Sequence, residues 1–270
     1  MKIITLVENT CGNANCIAEH GLSLYIETEK HRILLDAGQT DAVVRNASVL
    51  EVDLSETDTV ILSHGHYDHS GGLIPFSGIN RKARIYMQRS AAEPHYNGDR
   101  YIGIDPQVSC LPNICMIDGD LLIDEELFLF SGIKGRRLFP EENHKLSVIR
   151  NGHKIPDDFT HEQILVVTQG EKKWLFSGCA HNGILNILDR YRELTGSSPD
   201  YAVTGFHLMK KTGEYTVKEE AAIKETALEL SHTDTVFYSG HCTGTPAFKI
   251  MKQIMGDQLI AIHSGDRILL

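Results

Sequence analysis

The stretch Ser63-His64-Gly65-His66-Tyr67-Asp68-His69-Ser70-Gly71-Gly72-Leu73 decides the fold. It follows a β-branched, apolar run, which is typical of a buried strand that ends in a loop. In an extended backbone His64 and His66 project from the same side, so their imidazoles can hold one cation. Asp68 and His69 reach a neighbouring position. The pattern predicts one or two divalent metal ions, with zinc favoured and iron, manganese or magnesium as alternatives.

Further motifs lie at strand ends elsewhere in the chain. They are Glu19-His20-Gly21-Leu22-Ser23, Leu35-Asp36-Ala37-Gly38-Gln39, Gly178-Cys179-Ala180-His181-Asn182-Gly183-Ile184, Gly205-Phe206-His207-Leu208 and Gly240-His241-Cys242-Thr243-Gly244. Together with the first stretch they resemble the metallo-beta-lactamase superfamily, in the branch labelled 7,8-dihydropterin-6-methyl-4-(β-D-ribofuranosyl)aminobenzene-5'-phosphate synthase. The resemblance implies a mixed α/β (α+β) fold, a four-layer αββα sandwich whose metal site lies at the edge of two sheets.

The length and composition fit one large domain. With 270 residues, of which 41% are hydrophobic, the chain can bury a sizeable core. We predict a single domain over residues 1–270, with a substrate-covering insertion around 88–160. His95, in this polar and tyrosine-containing segment, is interpreted as solvent-exposed. The similar segments 58–64 and 234–241, each a strand that delivers a histidine, indicate two halves of similar plan.

Charge and cysteine content limit the partners. The chain carries 26 Lys+Arg against 36 Asp+Glu, a formal charge of −10, which argues against general binding to nucleic acid or to an anionic membrane. The N-terminal apolar run is too short for a signal segment, and no run reaches the ~18 residues of a membrane span. Six cysteines at these spacings do not form a disulfide framework. We predict a cytoplasmic protein that acts on a small molecule; its oligomeric state is open.

The metal ligands are implied mainly by the resemblance. Besides the first stretch, His241 and His181 are expected to bind metal. Cys179 stands where relatives have a metal-bridging aspartate or a metal-binding cysteine, so it is either a thiolate ligand or a buried small residue. His161 precedes a predicted hairpin, where many superfamily members have a ligand histidine. Asp36 is expected to orient a ligand histidine, with a plain turn role as the alternative.

Other side chains are candidates for binding substrate. His207 is expected to touch substrate or metal, and His20 to shape the rim of the pocket. Arg136 and Arg137 form a compact basic turn, which is either a solvated loop or a clamp for a phosphate or carboxylate.

The ligand set indicates metal-assisted hydrolysis. A cation held by neutral imidazoles acidifies bound water and polarises a carbonyl or phosphoryl oxygen, and Asp68 is the expected general base. The chain lacks the Gly-x-Ser-x-Gly elbow, the P-loop and the dinucleotide Gly-x-Gly-x-x-Gly motif. The favoured substrate is a phosphoester or a pterin- or nucleotide-like phosphate. The alternatives are a condensing transferase that joins a pterin to ribofuranosylaminobenzene phosphate, an iron-dependent oxidoreductase or dioxygenase, and a non-catalytic ligand-binding module.

Overall fold

Strands and helices alternate along the computed structural model, which describes residues 1–269. The strands are β1 (Lys2–Val7), β2 (Ser23–Glu27), β3 (Arg32–Leu35), β4 (Thr59–Ile61), β5 (Arg84–Gln88), β6 (His95–Asn97), β7 (Arg100–Tyr101), β8 (Ile114–Ile117), β9 (Leu121–Leu122), β10 (Leu127–Phe130), β11 (Leu146–Arg150), β12 (His153–Pro156), β13 (Ile164–Gln169), β14 (Lys172–Phe176), β15 (Tyr201–Val203), β16 (Val236–Ser239), β17 (Leu259–Ala261) and β18 (Arg267–Leu269). The α-helices are α1 (Ala42–Val49), α2 (Tyr67–Ser70), α3 (Leu73–Ile79), α4 (Pro106–Ser109), α5 (Ile184–Thr195), α6 (Val217–Ser231) and α7 (Thr245–Met255).

The two large sheets share one plan. Their strand orders are β18-β1-β2-β3-β4-β5-β8 and β17-β16-β15-β14-β13-β10-β9. In the first sheet β1, β2 and β3 are antiparallel, and β3, β4, β5 and β8 are parallel. In the second, β10, β13 and β14 are antiparallel, and β14 to β17 are parallel. Both histidine-delivering strands, β4 and β16, therefore lie in the parallel part of their sheet.

Side-chain alternation along the strands produces four layers. Ile3 of β1 packs in the core between the two sheets, whereas its neighbour Ile4 belongs to the cluster that contains Val43 of α1. In β13, Leu165 faces the inter-sheet core and Val166 packs on the side of α5, α6 and α7. A period of two is what a strand buried on both faces requires. The layers are helix, sheet, sheet and helix, as the resemblance implied.

The segment around residues 88–160 contributes strands to three sheets. Strand β8 belongs to the first main sheet, and β9 and β10 belong to the second. Strands β12, β11, β6 and β7 form a separate four-stranded sheet. The small sheet has its own core, in which Ile102, Leu146 and Phe159 pack with Tyr67 of the histidine motif. The small sheet therefore packs beside the histidine motif.

The sequence predicts the start of two helices and the end of the last strand. Thr216-Val217-Lys218-Glu219 predicts a capping box, and Thr216 caps α6 in this way with Glu219. Thr245-Pro246 predicts a helix capped by Thr245, but α7 begins at Thr245 because Gly244 takes the N-cap position with a φ of 71°. Residues 267–270 predict a closing strand, of which Leu270 lies outside the described residues. None of the helices within residues 1–269 combines the length and apolarity needed to cross a lipid bilayer.

Gln163 joins the two sheets beneath the histidine motif. Its side-chain Nε2 donates to the carbonyls of Leu62 and Tyr86, at 2.8 and 3.0 Å. Its backbone N–H donates to the Ser63 carbonyl at 2.8 Å. The side chain is fully buried, so these carbonyls have no access to water as a substitute partner.

We expect Gln163→Leu to lower the free energy of unfolding by about 2–3 kcal/mol, because it takes the donor from the buried Leu62 carbonyl and one of two donors from the Tyr86 carbonyl without changing the side-chain size much. Urea unfolding of the zinc-free protein measures the change. Gln107→Leu, at an exposed position of α4, is the matched control and should change stability by less than about 0.5 kcal/mol. Equal losses in the two variants would contradict this role of Gln163.

Candidate metal centre

The candidate site lies where strands of both sheets end. His64 follows β4, His181 follows β14, His207 follows β15 and His241 follows β16. Several of the turns that deliver these side chains have left-handed backbone at residues other than glycine. These residues are Asp36 (φ 56°), Ala180 (φ 53°), His207 (φ 49°) and His241 (φ 46°). Such strained conformations cluster at functional sites.

His64, His66 and His181 form a compact group of imidazoles. The ring centroids are 4.6 Å apart for His64 and His66, 4.8 Å for His64 and His181, and 4.7 Å for His66 and His181. Each Nε2 is buried and has no hydrogen-bond partner in the part of the chain that the structure describes. A buried unpaired nitrogen costs about 1–3 kcal/mol. A cation bound between these three nitrogens would satisfy them, so the donor set fits zinc.

A second group contains Asp68, His69 and His241. The Nε2 atoms of His69 and His241 are 3.2 Å apart although 172 residues separate them in sequence. Asp68 Oδ2 lies 3.4 Å from His241 Nε2 and 3.9 Å from His69 Nε2. Two imidazoles and a carboxylate around one point are a donor set for zinc, iron or manganese.

Cys179 lies between the two groups. Its Sγ is 3.2 Å from His69 Nε2. Its sulfur also lies within 4.8 Å of the ligand atoms of His64 and His181, and within the same distance of those of His69 and His241. A thiolate at this point can contact a cation in either group, and the residue is also buried, so its position fits both alternatives for Cys179.

Asp36 and Ser63 fix the protonation of two ligand rings. Asp36 Oδ2 accepts from His69 Nδ1 at 2.6 Å and from the Ser63 hydroxyl at 2.6 Å. Because the Ser63 hydroxyl donates to Asp36, its oxygen accepts from His64 Nδ1 at 2.8 Å. With the proton on Nδ1, Nε2 of both histidines keeps its lone pair for a metal. Asp36 thus holds the His69 ring and the Ser63 loop together, an arrangement that fits the predicted orienting role.

Two asparagines fix the protonation of the His181 and His241 rings in the same way. Asn143 Nδ2 donates to the His181 carbonyl at 2.7 Å, which turns its Oδ1 toward His181 Nδ1 at 3.0 Å. Asn9 Oδ1 accepts from the Gly21 N–H at 3.2 Å and lies 2.8 Å from His241 Nδ1. His181 and His241 therefore also present Nε2 as an acceptor.

Buried carboxylates hold the backbone of the site loops. Each accepts a hydrogen bond from the N–H of a loop residue: Asp36 from Ser63 at 2.7 Å, Glu162 from His181 at 2.6 Å and Glu8 from His241 at 2.5 Å. Sequence reasoning missed Glu8, Asn9, Asn143 and Glu162. The sequence does contain a signal for two of them, because Glu8 directly follows the apolar strand β1 and Glu162 lies just before the apolar strand β13.

Burial sets the charge of the candidate ligands. Burial, and then repulsion between neighbouring imidazoles, lowers the pKa of His64, His66 and His181 well below the ordinary histidine value. These rings are neutral at neutral pH, as metal binding requires. Although burial raises it, the His20 and His241 rings beside the carboxylate hold the pKa of Asp68 well below its usual range. Asp68 is therefore an ionised carboxylate.

His161 and His95 lie in a third group of buried titratable side chains. His95, predicted to be exposed, is fully buried, and its Nδ1 lies 2.7 Å from Asp157 Oδ2. The Gly65 N–H donates to His161 Nδ1 at 2.9 Å, so the neutral ring carries its proton on Nε2, 3.4 Å from Asp157 Oδ2. His66, His95, Asp157 and His161 have ligand atoms within 4.8 Å of one another. In this hydrogen-bonded form the lone pair of His161 Nδ1 faces the Gly65 N–H, so a ligand role for His161 would require the other tautomer, with Nε2 unprotonated.

Arg136 and Arg137 do not form the expected anion clamp. The Arg136 guanidinium donates to the carbonyls of Ile133, Gly135 and Asp158, at 3.1, 2.7 and 3.1 Å. Arg137 forms ion pairs with carboxylates of α5 and α6, Asp189 at 3.2 Å and Glu229 at 2.9 Å. Both side chains support loop structure, as the solvated-loop alternative held, and neither lines the cavity described next.

A cavity of ≈ 490 Å³ opens onto both ligand groups. Its walls include His20, His66, Asp68, Cys179, His181, His207, His241 and Cys242. Tyr67 and Ile102 extend the wall toward the small sheet. The volume is within the usual range for sites that bind small molecules.

Basic side chains surround the cavity. They are Arg100, Lys145, Lys210 and Lys211. Lys145 pairs with Glu142 at 2.6 Å and Lys210 with Glu219 at 2.8 Å. Arg100 and Lys211 have no carboxylate partner within residues 1–269. The Arg100 guanidinium lies 5.0 Å from the centre of the Tyr67 ring.

Comparisons with known proteins agree with this geometry. The model of the metallo-beta-lactamase superfamily matches residues 17–224. An uncharacterised protein of Methanocaldococcus jannaschii, MJ0448, is 31% identical over 92% of this chain and 93% of its own. The 7,8-dihydropterin-6-methyl-4-(beta-D-ribofuranosyl)-aminobenzene-5'-phosphate synthase of the same organism is 28% identical over 98% of this chain and 95% of its own.

Among solved structures, Tm1679, described as a metal-dependent hydrolase of the beta-lactamase superfamily, superposes with a TM-score of 0.83. It is 31% identical, and the match covers 100% of this chain and 99% of that one. The fold, the strand-end histidines and these matches have one explanation: the chain belongs to the metallo-beta-lactamase superfamily.

Proposed function

We propose that the protein is a metal-dependent hydrolase that cleaves a phosphoester or a pterin- or nucleotide-like phosphate. One observation carries the proposal: the buried, unpartnered Nε2 atoms of His64, His66 and His181 converge at a cavity with basic side chains around it. Neutral nitrogen donors suit a metal ion. Basic side chains without a carboxylate partner, at the same cavity, suit an anionic substrate. The description of Tm1679 as a metal-dependent hydrolase supports the reaction class.

The chain's own residues divide the work. His64, His66 and His181 would hold one zinc ion, and Asp68, His69 and His241 a second, with Cys179 between them. When bound, zinc acidifies water and stabilises charge that develops on a phosphoryl oxygen. Asp68 lies on the cavity wall in ionised form and can accept the proton of the attacking water.

The cavity walls favour an anionic, partly planar substrate. The whole molecule carries a charge of −10, so unpaired Arg100 and Lys211 stand out as attractive points for a phosphate. The Tyr67 ring beside Arg100 offers an aromatic surface to a base or pterin. We propose that His207 and His20, at the cavity wall, touch the substrate, and that the small sheet covers it.

A substrate panel tests the proposal. Zinc-loaded protein is assayed with bis(p-nitrophenyl) phosphate, p-nitrophenyl phosphate, cyclic nucleotides, a glutathione thioester and a β-lactam. We expect turnover of a phosphoester, its loss on treatment with a chelator and its recovery with added zinc. Faster turnover of the thioester or the lactam would contradict the phosphate assignment while leaving metal-dependent hydrolysis intact.

Arg100→Ala should raise KM for the best phosphoester by about 10-fold and leave kcat within about twofold. The reason is that a guanidinium at the cavity mouth attracts the substrate without contacting the reacting atoms, so ground state and transition state lose the same interaction. Steady-state kinetics at low and high salt measure this, and salt should narrow the difference between variant and wild type. Arg81→Ala, at an exposed position away from the cavity, is the control and should change neither constant.

One second candidate has a specific observation in its favour. The Methanocaldococcus synthase matches 98% of this chain, and its name describes formation of a pterin and ribofuranosylaminobenzene phosphate conjugate. Incubating the zinc-loaded protein with ribofuranosylaminobenzene 5'-phosphate and a dihydropterin that carries a diphosphate leaving group on its 6-methyl carbon distinguishes the two candidates. A joined product that requires both compounds and appears with one diphosphate would favour condensation, whereas release of inorganic phosphate from either compound alone would favour hydrolysis.

A further inference from the structure

Cys242 lies at the metal centre although neither proposed metal position uses it. It is buried in the turn His241–Thr243 after β16 and lines the same cavity. Its Sγ, the Sγ of Cys179 and a ring nitrogen of His207 all lie within 4.8 Å of one another. Two thiols and an imidazole at this separation are a donor set that soft and borderline cations prefer.

The backbone around Cys242 makes room for the sulfur. A Cβ on Gly205 would lie 2.3 Å from Cys242 Sγ, so glycine is required there. The His207 N–H donates to the same sulfur at 3.3 Å. The Cys242 carbonyl accepts from the N–H groups of Leu208 and Met209, at 2.9 and 2.8 Å. These bonds fix the loop after β15 against the turn after β16.

His207 has an incomplete set of partners. Its Nδ1 is buried and makes no hydrogen bond within residues 1–269. Its backbone is held at a φ of 49°, an unfavourable conformation for a side chain of this size. An orphan nitrogen on a strained residue indicates that something outside the described chain satisfies it.

We propose that Cys179, His207 and Cys242 form a separate, sulfur-rich position for a thiophilic divalent cation, zinc first. Cys179 would be common to this position and to the imidazole groups, since its Sγ is also 3.2 Å from His69 Nε2. Cys242 Sγ lies 3.5 Å from the Cys179 carbonyl, the contact of a protonated thiol. Cation binding converts both thiols to thiolates and releases their protons to solvent.

The proposal adds a cation site and does not depend on which reaction the protein catalyses. A zinc ion with two thiolates at about 2.3 Å brings its sulfurs to about 3.8 Å from each other. The observed spread of ligand atoms, up to 4.8 Å, is within reach of small rotamer changes. The remaining coordination position would face the cavity, whose walls include all three residues.

Cobalt substitution tests the site with a readout other than activity. The holoprotein is exchanged into Co²⁺ under anaerobic conditions, and sulfur-to-cobalt charge transfer is followed in the near ultraviolet together with cobalt bound per chain. Cys242→Ser should weaken the band and bind the last cobalt roughly 100-fold more weakly. Cys110→Ser, at an exposed cysteine, is the matched control and should match wild type.

Two further variants keep the test decisive. Cys179→Ser should lower the band at least as much as Cys242→Ser. If Cys242→Ser does not fold, His207→Ala should produce the same loss of bound cobalt. An unchanged band and an unchanged cobalt content in the folded Cys242→Ser or His207→Ala protein would overturn the proposal. Because no substrate is involved, a failed substrate panel leaves these results unaffected.

Discussion

His181→Ala is expected to lower kcat/KM for the best substrate on the order of 1,000-fold and to remove one zinc ion per chain, whereas His161→Ala is expected to keep its zinc. The reason lies in the protonation of the two rings. His181 donates through Nδ1 to Asn143 and leaves Nε2 free, whereas His161 accepts at Nδ1 from Gly65 and carries its proton on Nε2. Zinc per chain, measured by mass spectrometry, and steady-state kinetics decide between them.

The two variants control for each other, since both remove a buried imidazole of the same region. Similar thermal melting of the zinc-free proteins would establish that folding is comparable. The ring centroid of His181 lies 4.8 Å from that of His64, and that of His161 lies 6.0 Å away. If His161→Ala lost its zinc while His181→Ala kept it, His161 would be the zinc ligand and His181 would not.

Local patterns were sufficient to predict the parts of the site that neighbouring residues build. An apolar strand followed by His64-Gly65-His66 is a local signal, because strand direction and loop geometry depend on adjacent residues. The same holds for the capping box at Thr216, whereas the four layers were implied by the family resemblance. The position of His241 beside His69 rested on family resemblance, since no local rule joins residues 172 apart.

The errors concern side chains whose partners are distant in sequence. His95 was expected in solvent because its neighbours are polar, yet Asp157, 62 residues later, accepts from it in the core of the small sheet. Arg137 looked free in a basic turn, but helices α5 and α6 bring Asp189 and Glu229 to it. Such pairing depends on tertiary packing and leaves no periodic trace in the sequence.

Which nitrogen of each site histidine carries the proton could not be predicted from the sequence either. Asn9 lies in a turn that sequence patterns describe only as polar, and its partner His241 is 232 residues away. Whether a histidine is a ligand or a support depends on which nitrogen has a donor or acceptor beside it. That is the reason His161 and His181 could not be ranked from the motif alone.

Asp36→Ala should cause the largest loss of stability, about 3–5 kcal/mol, because it removes a fully buried carboxylate that holds both the Ser63 loop and His69. Asp36→Asn keeps the size and tolerates the left-handed φ of 56°. Its amide, however, must turn an NH₂ group toward one of the donors. We therefore expect an intermediate loss of stability and roughly 10- to 100-fold weaker zinc binding.

Asp41→Asn supplies the comparison, because Asp41 is exposed and its pair with Arg45, 2.9 Å long, lies at the surface. Unfolding in urea without metal separates the effect on the fold from the effect on zinc, which a chelator competition measures. If Asp36→Asn matched Asp41→Asn in both measurements, the Asp36 carboxylate would have no special role in holding His69. The alternative outcome, normal stability with weak zinc binding, would assign Asp36 to ring orientation alone, since His69 can then rotate away without disturbing the core.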